Sequence, residues 1–209
     1  MLISALLLST SCGIIPLPNP DAPGEPGINP DGSIDYVDMT GNDYAKIEEL
    51  YALVGNKVDI SVKTESLGVT LNATYAIGGD TVTYSVETLN MLPSDGNIEN
   101  LPESMISTIT GAAHINENGE LVDDGDGTVA LPEGTTVAGV MDFSEGNFKD
   151  GKRSPYGFEG EVASVKDFLG ADVDVDSMYA KVDYTDAAIS SITLTYTRGN
   201  ATVTITYTF

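Results

Sequence analysis

The chain has 209 residues with 9 Lys and Arg against 32 Asp and Glu, a net charge of −23 at neutral pH. A charge of this sign repels phosphate backbones and anionic headgroups and excludes nucleic acid as a partner. Hydrophobic residues make up 41% of the chain, enough apolar surface to argue against disorder, and the single Cys excludes a disulfide-stapled scaffold.

Residues 1–11 open with an apolar run, Leu2, Ile3, Ala5, Leu6, Leu7 and Leu8. It is far short of the roughly 20 residues that span a bilayer and reads as the core of a signal peptide. The adjoining stretch, Leu8-Ser9-Thr10-Ser11-Cys12, resembles the lipobox of bacterial lipoproteins, in which small residues precede a Cys that is lipidated and becomes the mature N-terminus. Two departures stand out: Ser9 occupies the place that usually holds Leu, and no Lys or Arg precedes the apolar run. The resemblance implies an exported protein held on the extracytoplasmic side of a bacterial membrane by a diacylglyceryl group on Cys12. Two acyl chains suffice for stable anchoring.

Residues 12–36 carry Pro16, Pro18, Pro20, Pro23, Pro26 and Pro30 with Gly24, Gly27 and Gly32 between them. Prolines at that spacing break helices and central strands. The segment reads as a tether, and some 20 extended residues lift the rest of the chain by roughly 60 Å. Residues 37–209 then read as one domain.

That domain opens with a helix. Tyr44, Ile47, Leu50, Tyr51 and Val54 share one face between Asn42 or Asp43 and Gly55. A strand from Val58 to Lys63 comes next. Val69, Leu71, Ala73, Tyr75 and Ile77 then alternate with polar or small residues, as do Val82, Tyr84 and Val86, and Gly78-Gly79-Asp80 between them is hairpin chemistry. The middle of the chain is richer in Gly, Asp and Asn and shows weaker periodicity. Met105, Ile106 and Ile109 fit a helix after Pro102, and Thr136 to Phe143 fits a strand. Val162, Val165, Phe168 and Leu169 predict a short helix closed by Gly170, and Met178 to Tyr184 a strand. Ile192, Leu194 and Tyr196, the turn Arg198-Gly199-Asn200, then Val203, Ile205, Tyr207 and Phe209 form a second hairpin of the same design.

Strict alternation buries one face of each strand and wets the other, as antiparallel sheets do. The expectation is an α+β fold, a curved, mostly antiparallel sheet with two or three short helices on one face. Helix, strands and hairpin occur in that order twice, which fits two related halves.

Patterns that carry chemistry are incomplete. Asp142-Phe143-Ser144-Glu145-Gly146 lacks the first Gly of a nucleophile elbow. Gly146 to Lys152 matches seven positions of a phosphate-binding loop, but Arg153 stands where a hydroxyl should hold magnesium and Pro155 blocks the helix. This stretch therefore reads as a loop whose Lys149, Lys152 and Arg153 form a basic island. His114, the one His, reads as a structural residue in an edge strand leading to Asn118-Gly119. No catalytic residue is assigned.

For calcium, two acidic groups have oxygen ligands in reach: Asp172, Asp174 and Asp176, with Ser177 where an EF-hand loop needs Gly, and Asp123, Asp124 and Asp126. The apolar face of the sheet, with Leu71, Tyr75, Val82, Tyr84, Ile192, Leu194 and Tyr196, is core or else the lining of a hydrophobic-ligand site. In outline the fold is similar to helix-plus-curved-sheet carriers of lipids and lipoproteins. The expected function is a non-enzymatic binding or interaction module of the bacterial envelope, with a carrier of a lipid or small hydrophobic ligand as the alternative and a hydrolase working through paired carboxylates as the second.

Overall fold

A computed structural model describes residues 27–55, 57–89, 105–115, 121–123 and 141–209. The leader, Cys12 and most of the tether therefore lie outside the described residues. At the end of the tether, Gly27 to Asp35 turns back on itself. Ile28 bridges Ile34, and Asp31 accepts the Ser33 N–H at 2.9 Å and the Ser33 hydroxyl at 2.7 Å.

The sheet contains β1 (Val37–Asp38), β2 (Lys57–Ser66), β3 (Val69–Gly78), β4 (Thr81–Leu89), β5 (Ile106–Ile115), β6 (Leu121–Asp123), β7 (Phe148–Ser154), β8 (Gly157–Val162), β9 (Ser177–Tyr184), β10 (Ile189–Arg198) and β11 (Ala201–Thr208). Their spatial order is β1-β7-β8-β9-β10-β11-β2-β3-β4-β5-β6, with neighbouring strands antiparallel. The mostly antiparallel sheet expected from the alternation is thus present. Two meanders, β2 to β6 and β7 to β11, are joined by their first and last strands, since β11 pairs with β2 from Ala201↔Ser66 to Thr208↔Asp59.

The turns obey local chemistry. Gly79 (φ +75°) and Gly199 (φ +58°) hold the left-handed positions that open their hairpins, whereas the β2–β3 turn puts Leu67 (φ +49°) there beside Gly68 (φ +82°). Helix α1 (Gly41–Tyr51) starts at Thr40, whose N–H and hydroxyl both donate to Asp43 Oδ2, at 2.8 and 2.6 Å. Helix α2 (Val165–Leu169) starts at Ser164, which accepts the Asp167 N–H, and ends at Gly170 in the left-handed conformation.

One row across the sheet shows where the core sits. Tyr84, Tyr75, Ile60, Tyr207, Ile192, Val182 and Phe158 lie side by side in register on seven adjacent strands, and all are buried. Helix α1 contributes Tyr44, Ile47 and Leu50 to the same cluster. Beside them the rings of Phe148 and Phe158 meet edge to face at 5.0 Å and those of Phe143 and Phe168 at 5.4 Å, with Tyr51 5.2 Å from Phe143.

Three local expectations are corrected. Ile106 and Ile109 belong to strand β5, where Ile109 faces Val86 and Ile106 faces Leu89; β-branched residues at four positions in Ile106–Thr110 favour the pleated backbone over a helical turn. Met141 to Ser144 is irregular rather than a strand, with Met141 and Phe143 buried beneath the helices; residues 136–140 of the predicted strand lie outside the described residues. The stretch from Phe148 to Ser154, expected as a loop, is strand β7, broken by a bulge between Lys149 and Lys152 where Asp150 has φ +48°.

Candidate functional site

The seven apolar residues considered for a ligand site occupy two separate strips. Tyr75, Val82 and Tyr84 lie on β3 and β4, and Ile192, Leu194 and Tyr196 on β10; β2 and β11 stand between the strips. These six are buried in the one core cluster, packed among Ile60, Val203, Ile205 and Tyr207. Leu71, half-buried, faces Thr64.

The acidic groups fare differently. The structure sends Asp172, Asp174 and Asp176 to three partners: Lys166 (3.4 Å), Arg198 (3.7 Å) and the Gly199 N–H (2.7 Å). Asp123 is in β6, opposite Ala113, while Asp124 and Asp126 lie outside the described residues. Among the described residues no group of acidic, His or Cys side chains gathers in metal-binding geometry.

The basic island is dispersed along β7, each member facing a carboxylate. Lys149 meets Glu161 at 2.6 Å, Lys152 meets Asp38, and Arg153 Nε lies 3.4 Å from Asp43. His114 is exposed on β5, opposite Thr81 on one side and Val122 on the other. Ser144 sits between two carboxylates, Glu48 at 3.0 Å and Asp142 closer still. Hydrogen bonds from the Ser144 hydroxyl and N–H hold the Asp142 carboxyl below its ordinary pKa, so it is an ionised acceptor near neutral pH and not a proton donor.

Among the described residues, concave surfaces lie on the opposite, wet face and at the rim. On the wet face two adjoining depressions of about 400 and 440 Å³ share Asp59, Ala76, Thr83 and Thr208. The register explains them. Ala112, Thr83, Ala76, Asp59 and Thr208 form one cross-strand row, and Thr110, Ser85, Thr74, Ser61 and Thr206 form the next. Small side chains on β4, β3, β2 and β11 leave a groove floored by methyl and hydroxyl groups, flanked at one end by Lys57 and Phe209. Asp59 is the carboxylate on its floor.

At the rim, the β7–β8 turn and the β9–β10 turn enclose a cleft of about 520 Å³ lined by Pro155, Tyr156, Asp183, Tyr184, Thr185, Asp186 and Ser190. The Tyr184 N–H donates to Tyr156 O at 3.1 Å and ties the two turns together. Burial raises the Tyr184 pKa, with the charge of Asp43 adding to it. Sequence reasoning missed both concavities. The wet face was legible as alternating Thr and Ser, but a groove depends on which small residues fall into register across strands; the cleft depends on two turns 30 residues apart becoming neighbours, roughly one strand spacing from each other.

No protein-family model and no curated protein matches the chain.

Proposed function

We propose that this chain is a lipid-anchored, non-enzymatic binding module on the extracytoplasmic side of a bacterial envelope, with an α+β domain that meets its partner through the wet face of the sheet. The observation that carries the binding half of this reading is the hydroxyl-floored groove on β2, β3, β4 and β11. A solvated face normally fills with long charged side chains that resist edge and face contacts. Here ten neighbouring positions hold two Ala, seven Ser or Thr and a lone Asp. Such a surface lets another backbone or a polar ligand approach closely at little cost in side-chain entropy.

The anchoring half rests on Cys12 in its lipobox-like setting and on the Pro-rich stretch behind it. Its test is mass spectrometry of the chain expressed in a bacterial host beside Cys12→Ala. A mature species that begins at Cys12 and carries a diacylglyceryl increment, absent from the variant, is the expected result. An unmodified chain in both overturns the anchor. The binding half is tested by placing a photocrosslinking residue at Thr74 in the groove or at Thr108 on β5 in the same host. A discrete adduct from Thr74 alone is expected, and equal labelling at both positions overturns a role for the groove.

A further inference from the structure

The rim cleft differs from the groove in having aromatic walls next to a carboxylate that no cation among the described residues neutralises. Two charged neighbours have partners of their own. Asp183 is held by Lys181 at 2.9 Å and by the Ser191 hydroxyl at 2.9 Å, and Arg153, behind Tyr184, faces Asp43 at 3.4 Å. Asp186 has no hydrogen bond or ion pair among the described residues. Beside it Tyr156 is a large exposed aromatic, 53% accessible, and Tyr184 forms the inner wall.

We infer that this cleft receives the guanidinium group of an arginine side chain presented by a partner protein. The chemistry selects that group. A planar cation stacks on a Tyr face, where the ring quadrupole attracts it, and its N–H fork reaches a carboxylate at the same time. An uncharged side chain makes no ion pair with Asp186, and an anion meets it with like charge. A space of about 520 Å³ admits a long side chain and the backbone that presents it. The net charge of −23 draws a basic partner toward the whole surface, and the cleft gives the encounter a defined end point. This inference rests on the binding-module reading for the source of the arginine, though not for the cleft's preference.

The test is titration of N-acetyl-arginine amide into the full-length Cys12→Ala chain at constant ionic strength, followed by NMR of labelled Tyr rings and backbone amides. Saturating shifts centred on Tyr156, Tyr184 and Asp186 are expected. Tyr156→Leu keeps an apolar side chain but loses the ring face, and Asp186→Asn loses the charge; each weakens binding about two- to fivefold. Asp172→Asn, on a distant loop, leaves it unchanged. Shifts that spread without saturation over many carboxylates, or an affinity that neither cleft variant alters, overturn the inference. Both outcomes are independent of whether Cys12 is lipidated, so failure of the cleft and failure of the anchor are distinguishable.

Discussion

Arg153 Nε lies 3.4 Å from Asp43 Oδ1, and the two side chains are 22% and 19% exposed. Asp43 thereby has two duties, because its other oxygen accepts the N–H and hydroxyl of Thr40 at the start of α1. One carboxylate fixes the helix start and tethers it to β7. Asp43→Ala removes the acceptor and leaves a half-buried guanidinium without its counterion, so it costs about 2 kcal/mol. Asp43→Asn keeps an acceptor for Thr40 and costs less. Urea unfolding of the two variants gives the comparison, and equal losses contradict the double role.

Leu67 takes the left-handed conformation (φ +49°) in the β2–β3 turn while its side chain is 56% exposed. A β-carbon in that region costs roughly 1 kcal/mol, which Asn tolerates better. Since little apolar burial is lost, Leu67→Asn raises the stability by about 0.5 to 1 kcal/mol. A rise in the urea midpoint with unchanged m-value is the signature.

What the sequence made legible were the two hairpins, α1, the short α2 closed by Gly170, and strands β2 and β9, where the inward positions are apolar. Strands β5, β7 and β8 were hidden by substitutions of shape for hydrophobicity. In β8 the inward row is Phe158, Gly160 and Val162; a β-carbon on Gly160 would press on the Phe158 ring and on the backbone of Gly151. In β5 the inward row is Gly111, Ala113 and Ile115, and the Tyr84 ring lies over Gly111. In β7 the bulge at Asp150 shifts the alternation by one residue. A glycine under a neighbour's aromatic ring reads as a loop until the partner strand is known. The wet-face groove was hidden in the same way, because it depends on register between strands as distant along the chain as those that bring Thr74, Ser61 and Thr206 into one row.

Phe148 joins more of the aromatic cluster than any neighbour, meeting Tyr44, Phe143, Phe158 and Phe168 at centroid distances from 5.0 to 6.1 Å. Phe148→Ala opens a void among these rings and costs about 3 to 5 kcal/mol. Phe209→Ala, at the half-buried end of the chain, costs far less. Thermal unfolding of both variants checks the ranking.

Burial is the first cause of raised pKa values for Tyr44, Tyr75, Tyr179 and Tyr184, with nearby acids such as Glu145, Glu159 and Asp43 adding to some of them. A phenol whose folded pKa exceeds its unfolded value contributes stability that is fully present below about pH 10 and lost as pH rises through the folded value. The tyrosine contribution to stability is therefore flat toward neutral pH and falls in the alkaline limb. Tyrosinate absorbance followed against pH, with far-UV circular dichroism in parallel, has a late fraction that ionises together with unfolding. Full ionisation in a still-folded chain contradicts this.

Tyr84 and Gly111 face each other across β4 and β5, and a β-carbon added at Gly111 would collide with the Tyr84 hydroxyl and the ring carbon that bears it. The pair works as one filled position: a large ring takes the space of two ordinary side chains, and Gly, which normally weakens a strand, is offset by the ring that covers it. Gly111→Ala must displace Tyr84, which is 8% exposed, and costs about 1 to 3 kcal/mol. Tyr84→Val alone uncovers the Gly111 backbone and leaves a gap, with a loss of about 2 to 4 kcal/mol. Combined, the two small changes restore an ordinary Val–Ala cross-strand pair, so the double variant loses less than the sum of the singles by at least about 1 kcal/mol. A double-mutant cycle from urea unfolding measures that coupling, and additive losses show that the ring and the glycine are independent.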